Sequence, residues 1–313
     1  MDSEELIGVV TVTYNSADVL PDFLRSMEEQ THQGFLLFTV DNASKDDTVS
    51  ILRGWGDERL RIRIVVNSDN RGVAEGNNQG ICAALEAGCN SILLLNNDTQ
   101  FEPALIAKLA DGLITYSVDM ICPKILYFDD PRRIWAAGGA FRRLHGYHSK
   151  HFGEDEIDRG QYDYARLIKY VPTCCVLIRK QVFERIGLMD ERYFVYWDDT
   201  DFMYRAMKAG IRLFYLPEAK LLHKSGSLTG GGNVDTPFAI RYGTRNSLFF
   251  LLKHFGIFLS LPWLALNQIV WFLKLALHRK PKPWYAMKQS AFRESLAMWK
   301  RRNKPIVMKE VDR

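Results

Sequence analysis

The apolar run Ile92-Leu93-Leu94-Leu95 ends in Asn96-Asn97-Asp98, and a second acidic cluster, Trp197-Asp198-Asp199-Thr200-Asp201, comes much later with His223 beyond it. A buried strand that ends in a carboxylate delivers that group to the rim of a sheet, and the rims of open α/β sheets are where ligands bind. One such carboxylate can hold a hard divalent cation. Another can take the proton of an attacking hydroxyl. A metal-holding group and a base on one chain point to an enzyme that works on a phosphorylated substrate.

Several elements must position these groups. Ile7 to Thr13 is apolar and β-branched and reads as a buried strand; Phe35 to Val40, Ile62 to Val66 and 92–95 repeat the signal. Helices are expected between them, over 18–30, from Asp46-Asp47-Thr48, over 73–87 and after Pro103. This alternation implies βαβ units and a mostly parallel sheet. The strands end in Tyr14-Asn15, Asp41-Asn42, Asn67 and Asn96-Asn97-Asp98, so a parallel sheet gathers these polar residues on one edge. From 119 to 180 the pattern is less regular. Short strands, a mobile loop near 145–168 and a return strand at 170–178 are expected there, followed by a helix at 200–209 and a strand at 212–216.

The 313 residues suffice for one large domain or a domain with an appendage, and 47% hydrophobic with 25% charged residues is an ordinary globular balance. The five cysteines, Cys82, Cys89, Cys122, Cys174 and Cys175, form no C-x-x-C pair. A zinc site is therefore not expected, and the odd count fits a reducing cytosol. The acidic start Met1-Asp2-Ser3-Glu4-Glu5 runs directly into the first strand, unlike a secretion signal.

The net charge of +4 is unevenly spread: residues 274–304 hold ten Lys/Arg against one Glu, whereas 1–246 sum to −6. Just before the basic stretch, 255–273 are nineteen uncharged residues, fourteen of them apolar. At about 1.5 Å per residue, a helix of that length matches a bilayer core of about 30 Å. Pro262, Asn267 and Gln268 interrupt the run, and Trp263 and Trp271 suit a membrane interface. The segment 247–304 is expected to meet a membrane surface, lying in the interface or spanning it. A core helix or a homo-oligomer contact stays open as the alternative. The adjoining apolar run argues against nucleic acid as the tail's partner.

The ordered motifs resemble a known group. Thr11-Val12-Thr13-Tyr14-Asn15, Val40-Asp41-Asn42-Ala43-Ser44, Asn70-Arg71-Gly72 with Asn77-Asn78-Gln79-Gly80, and Asn96-Asn97-Asp98 come first. Gly187-Leu188-Met189-Asp190-Glu191-Arg192-Tyr193-Phe194, Trp197-Asp198-Asp199-Thr200-Asp201 and Pro217-Glu218-Ala219-Lys220 with His223 follow. This succession, over about 7–250, resembles family 2 inverting glycosyltransferases of the GT-A fold, on the rhamnosyltransferase and galactofuranosyltransferase branch.

The resemblance implies an α/β GT-A fold, Rossmann-like with a mixed, mostly parallel sheet flanked by helices. It also implies a nucleotide-sugar domain at 1–246, followed by a hydrophobic and basic helical tail at 247–313. Asp98 and His223 would hold Mg2+ or Mn2+; relatives often carry Asp-x-Asp, and Asn96 stands at its first position here. Thr13, Tyr14, Asn15, Asp41, Arg71, Gly72 and Asn97 would bind the nucleotide, with Tyr14 stacking on a base and Asp41 accepting its N–H. Asp199 would be the general base, with Asp198 raising its pKa or orienting it. Trp197, Tyr242 and Arg245 would face donor or acceptor.

Plainer readings exist for each group. Turn chemistry would account for Tyr14 and Asp41, a plain loop for Asn70-Arg71-Gly72, helix capping or lining for Asn77 and Asn78, an ordinary surface or core histidine for His223, an acidic first helical turn for 198–201, and an exposed helix face for Tyr242 and Arg245. The expected activity is transfer of rhamnose from dTDP-rhamnose to a saccharide or lipid-linked saccharide in cell-surface polysaccharide assembly, on the cytoplasmic face of a membrane. The alternatives are a UDP-sugar donor (galactofuranose or a hexose) and, motivated by Asn96, a non-catalytic nucleotide-sugar-binding subunit. A dinucleotide-binding dehydrogenase would want G-x-G-x-x-G where this chain has Thr13-Tyr14-Asn15-Ser16.

Overall fold

The computed structural model describes residues 6–56, 60–224 and 236–301. The acidic start Met1–Glu5 and residues 302–304 of the basic stretch lie outside them. Contacts divide the chain into two compact units, residues up to 142 with 148–224, and 143–147 with 236–301.

The first unit opens as expected: β1 (Ile7–Thr13), α1 (Leu20–Glu28), β2 (Phe35–Asp41), α2 (Thr48–Gly56), β3 (Ile62–Val66), α3 (Gly72–Glu86) and β4 (Ser91–Leu95). It continues with β5 (Thr99–Phe101), α4 (Leu105–Thr115), β6 (Met120–Tyr127), β7 (Ile134–Ala136), β8 (Gly139–Arg142), β9 (His148–His151) and β10 (Arg166–Ile168). β11 (Cys175–Arg179), α5 (Lys180–Ile186), α6 (Asp198–Lys208) and β12 (Leu213–His223) complete it.

The main sheet runs β10-β12-β6-β11-β4-β1-β2-β3, with β5 on β12 and β7 on β6. β4, β1, β2 and β3 are mutually parallel, as are β6 and β12; β11 runs antiparallel between β4 and β6. Successive strand residues alternate faces. Val9, Leu37, Leu93 and Leu177 share a core with α1, α2 and α4, while Val10, Phe38, Ile92 and Val176 share one with α3, α5 and α6. Register fixes the rim: Thr13 pairs with Asp41 and Asp41 with Val66. α3 lies close against β1, and a side chain at Gly80 would collide with Val10.

Several features differ from the sequence reading. β12 continues past Leu216 to His223, with its register on β6 shifting between Leu216 and Lys220. Pro217 has no N–H for the ladder, which explains the shift and the early stop expected at 216. The segment expected as a mobile loop contains β9 and β10 and is pinned. The fully buried Lys124 of β6 is ion-paired with Asp158 at 2.8 Å and with Asp163.

The second unit is built on α7 (Pro237–Ala276) and α8 (Lys282–Lys300). Thr236 caps α7 by accepting from the Ala239 amide. Gly256 breaks α7 with φ 72°. Ile240, Leu248 and Leu252 pack in one cluster with Leu264, Trp271 and Trp284. Lys288 Nζ lies 5.5 Å from the Trp271 ring centre and 5.4 Å from that of Trp284, and donates to Thr244 Oγ1 at 2.6 Å. The boundary expected at 246/247 therefore falls inside α7, whose first turns share this core. α7 is long and apolar enough, by length and composition, to cross a membrane.

Candidate active site

The end of β4 and the end of β12 meet. β12 pairs antiparallel with β5 so that His223 lies opposite Thr99, the residue after Asp98. Nε2 of His223 is 3.3 Å from Oδ1 of Asp98, and both side chains are buried. Burial disfavours the imidazolium, but Cys174 and the Asp98 carboxylate favour it, and the balance is upward, to about 10. Once the imidazole gives up its Nε2 proton, His223 and Asp98 would hold a hard divalent ion together with phosphate oxygens and water. Among the described residues, no three His, Cys, Asp or Glu side chains form a cage that would hold a metal alone. Asn96 is exposed, whereas Asn97 is buried and donates to the Val12 carbonyl at 2.8 Å and to Ser16 Oγ at 3.2 Å. Asn97 thus ties β4 to the end of β1.

The other nucleotide candidates stand at the ends of β1 and β2 and the start of α3. Asp41 is fully buried: Oδ1 accepts from Thr13 Oγ1 at 2.9 Å and from Ser44 Oγ at 2.5 Å, and Oδ2 accepts from the Ser44 amide at 2.9 Å. Three of its roughly four lone-pair positions are filled from within. Asn15 adopts φ 49°, its amide donates to Ser44 Oγ, and its Oδ1 accepts from the Lys45 amide. Tyr14 keeps 44% of its surface exposed, an open ring face at the same rim. Arg71 pairs with Glu75 at 2.9 Å and Asp69 at 3.4 Å. Gly72 has φ +82°, and a side chain there would strike the Phe194 carbonyl and ring. Its conformation lets α3 touch the segment that leads to the acidic cluster.

That segment is strained. Phe194, Tyr196 and Trp197 all have positive φ, between 62° and 69°. Residues held this way cluster at functional sites. Trp197 precedes α6 and packs edge-on against His148 at 4.7 Å. Asp198 is buried, and burial and then the Asp199 charge push its carboxyl up to about 8. Asp199 is only partly buried; Oδ2 accepts from the Tyr170 phenol at 2.5 Å, and Oδ1 accepts from the Thr200 amide at 2.5 Å and Oγ1 at 3.1 Å. Asp201 is more than part of an acidic first helical turn. It is fully buried, accepts from Tyr193 Oη at 3.1 Å and pairs with Arg205 at 2.9 Å.

Packed rings connect the Asp98 end to the Asp199 end. The Trp135 ring meets His223 at 4.4 Å and His151 at 4.8 Å, and His151 stacks on Tyr170 at 5.8 Å. His151 is lowered by burial first, with Glu154 and Asp199 opposing. Sequence reasoning missed Trp135, His151, Tyr170 and Cys174, and no spacing in the chain marks them. Tyr242 and Arg245 belong to the second unit, where the Arg245 guanidinium lies 4.6 Å from the Tyr242 ring centre and its Nε donates to Asn246 at 2.8 Å.

Comparison with known proteins agrees with this architecture. Residues 8–187 match the family described as Glycosyl transferase family 2. The chain is 24% identical over 277 residues to the dTDP-rhamnosyl transferase RfbF of Shigella flexneri, covering 84% of this chain and 86% of that protein. It is 24% identical over 247 residues to an N-acetylglucosaminyl-diphospho-decaprenol L-rhamnosyltransferase of Mycobacterium tuberculosis, covering 72% and 78%. The crystal structure of GalNAc-T7 with UDP, GalNAc and Mn2+ superposes with a TM-score of 0.60 at 14% identity, over 80% of this chain and 48% of that one. That likeness speaks to the fold, a mixed, mostly parallel GT-A sheet flanked by helices. With more than half of its length inside the family match, the chain belongs to glycosyltransferase family 2.

Proposed function

We propose that this protein is an inverting glycosyltransferase that moves a sugar, rhamnose from dTDP-rhamnose first and a UDP-sugar second, onto a lipid-linked saccharide at a membrane surface. The donor is suggested by the dTDP-rhamnosyl relative, and the acceptor by the relative that acts on a diphospho-decaprenol saccharide. The observation that supports catalysis is the unbroken packing from Asp98 through His223, Trp135, His151 and Tyr170 to Asp199.

Tyr14 offers a stacking face for the base, and Thr13, Asn15, Asp41 and Asn97 shape the pocket floor around it; Arg71 and Gly72 open α3 near the diphosphate. Asp98 and His223 would hold Mg2+ or Mn2+, which supplies charge neutralisation to the departing diphosphate. Asp199 takes the acceptor hydroxyl proton as that oxygen attacks the anomeric carbon from the face opposite the leaving group. Trp197 borders the acceptor side. α7 presents Phe258, Leu259, Leu266, Ile269 and Phe272 as exposed apolar residues, followed by Arg279, Lys280 and Lys282. This face suits an anionic bilayer, the surface in which a lipid-linked acceptor resides.

A panel of dTDP-, UDP- and GDP-sugars, with and without Mn2+, tests the reading by calorimetry and by product formation on a prenyl-diphosphate-linked N-acetylglucosamine. Binding of dTDP- or UDP-sugars that weakens in Asp98→Asn and His223→Ala is the expected result. Equal binding of GDP-sugars, or turnover indifferent to Asp199→Asn, would remove the proposal.

A further inference from the structure

Tyr170 stands outside every motif of the chain, yet its hydroxyl meets the carboxylate that the proposed mechanism uses as base. We propose that Tyr170 is a positioning residue that aims Asp199 at the acceptor hydroxyl, an inference that rests on Asp199 acting as that base.

A carboxylate has roughly four lone-pair positions. On Asp199, Tyr170 Oη fills one on Oδ2 at 2.5 Å, and the Thr200 amide and Oγ1 fill two on Oδ1. These donors come from two elements, the linker before β11 and the first turn of α6, so they fix the plane of the group rather than merely its location. The position left on Oδ2 is the one available to an acceptor hydroxyl. Asp199 is partly exposed while Tyr170 is buried, so the acceptor can reach the first and not the second.

Tyr170 can do this because it is itself held. The amides of Lys169 and Tyr170 donate to the Gly139 carbonyl at 3.2 and 3.1 Å. Its ring stacks on His151 at 5.8 Å and meets Phe141 edge-on at 5.7 Å. Gly139 leaves room for it, since a Cβ there would come within 2.9 Å of the Tyr170 ring. Burial, and then the adjacent Asp199 charge, raise the phenol well above its ordinary value, so it remains a donor over the working range. The titratable neighbours of Asp199 are Asp198 and Asp201 on its own helix, Tyr170, and His151 on β9.

In the step itself the acceptor O–H bond breaks and an Oδ2–H bond forms. The acceptor oxygen bonds to the anomeric carbon as the anomeric C–O bond to the diphosphate breaks, and that electron pair leaves with the diphosphate. Tyr170 keeps its proton throughout. Its bond favours the charged carboxylate, so removing it makes Asp199 more basic and less well aimed.

Tyr170→Phe tests this in the full-length protein, with dTDP-rhamnose and a prenyl-diphosphate-linked N-acetylglucosamine. The expected result is a kcat lowered about tenfold or more, an unchanged dTDP affinity, and an acid limb of kcat/KM moved up by about one pH unit. A purely structural role would not move the limb. If Tyr170→Phe does not fold, 3-fluorotyrosine at the same position keeps the ring and strengthens the donor, and the limb should move down instead. Asp199→Asn separates the two ideas. Full turnover in that variant would remove the base itself; no turnover there, with an unmoved limb in both Tyr170 variants, would overturn the positioning role alone.

Discussion

Asn78 and Met189 hold each other by two hydrogen bonds: Nδ2 of Asn78 donates to the Met189 carbonyl and the Met189 amide donates to Oδ1, both at 2.9 Å. The same Nδ2 lies 3.0 Å from Glu191 Oε1. This asparagine mimics a strand partner for the chain that leads into Asp198 and Asp199. It does more than cap or line α3.

Asn78→Ala should therefore weaken both stability and turnover. Two backbone groups in a buried setting lose their partner, which costs about 1–3 kcal/mol per unsatisfied group. Urea denaturation should show a lowered midpoint, and kcat should fall while affinity for the nucleotide-sugar donor holds. A midpoint equal to that of the parent protein would refute the bridge.

Gly72 makes the neighbouring contact and yields a second expectation. Val73 donates its amide to the Phe194 carbonyl at 2.6 Å, and Gly72 occupies φ +82° beside it. Alanine brings the left-handed strain of about 1–2 kcal/mol and a collision with Phe194. Gly72→Ala should destabilise the fold by more than Gly54→Ala, where a Cβ meets nothing within 4 Å. Equal midpoints for the two variants would count against the close approach.

Asp198 carries a pH dependence. Its carboxyl is raised by burial and by Asp199 to about 8, against a reference value of 3.8. A carboxyl raised in the folded state binds its proton more tightly there than when unfolded. Its contribution to stability is complete below the unfolded value and is lost as pH rises through the folded one. Stability should thus decline between about pH 4 and pH 8 on its account, and Asp198→Asn, neutral throughout, should remove that decline. Melting temperatures of the two proteins, compared at pH 5 and pH 8, measure it. Parallel profiles would show that Asp198 is not held protonated.

Much of this architecture is written locally. The strands β1 to β4 announce themselves because each is a largely apolar run closed by polar residues, and a parallel register then puts Thr13 and Asp41 side by side. His223 was legible as a ligand candidate only through the order of motifs. The strand that brings it to Asp98 continues through Pro217, which stops a reading based on composition. Trp135, His151 and Tyr170 leave no trace because pairing of short strands and linkers on the β6 side of the sheet positions them. The stretch just after His151 is dense with charge, and the buried Lys124 pins it through Asp158 and Asp163. A lysine inside Cys122-Pro123-Lys124-Ile125 gives no hint that it is dry.

The second unit supplies the last expectation, about membranes. On α7, Phe258 is 83% exposed, Leu259 66% and Phe272 58%, while Trp271 faces the core shared with α8. Water-exposed apolar residues at this density call for a cover. The basic residues that follow favour an anionic surface, each adding about 1 kcal/mol near the headgroups. The wild-type protein should float with phosphatidylcholine vesicles containing phosphatidylglycerol, less with phosphatidylcholine alone, and the difference should shrink as salt rises. Phe258→Asp with Phe272→Asp should release the protein from both vesicle types without lowering its affinity for the nucleotide-sugar donor. Undiminished flotation of that double variant would show that this face is not what touches lipid. A concentration-dependent dimer lost in the same variant would identify a second copy of the chain as the cover instead.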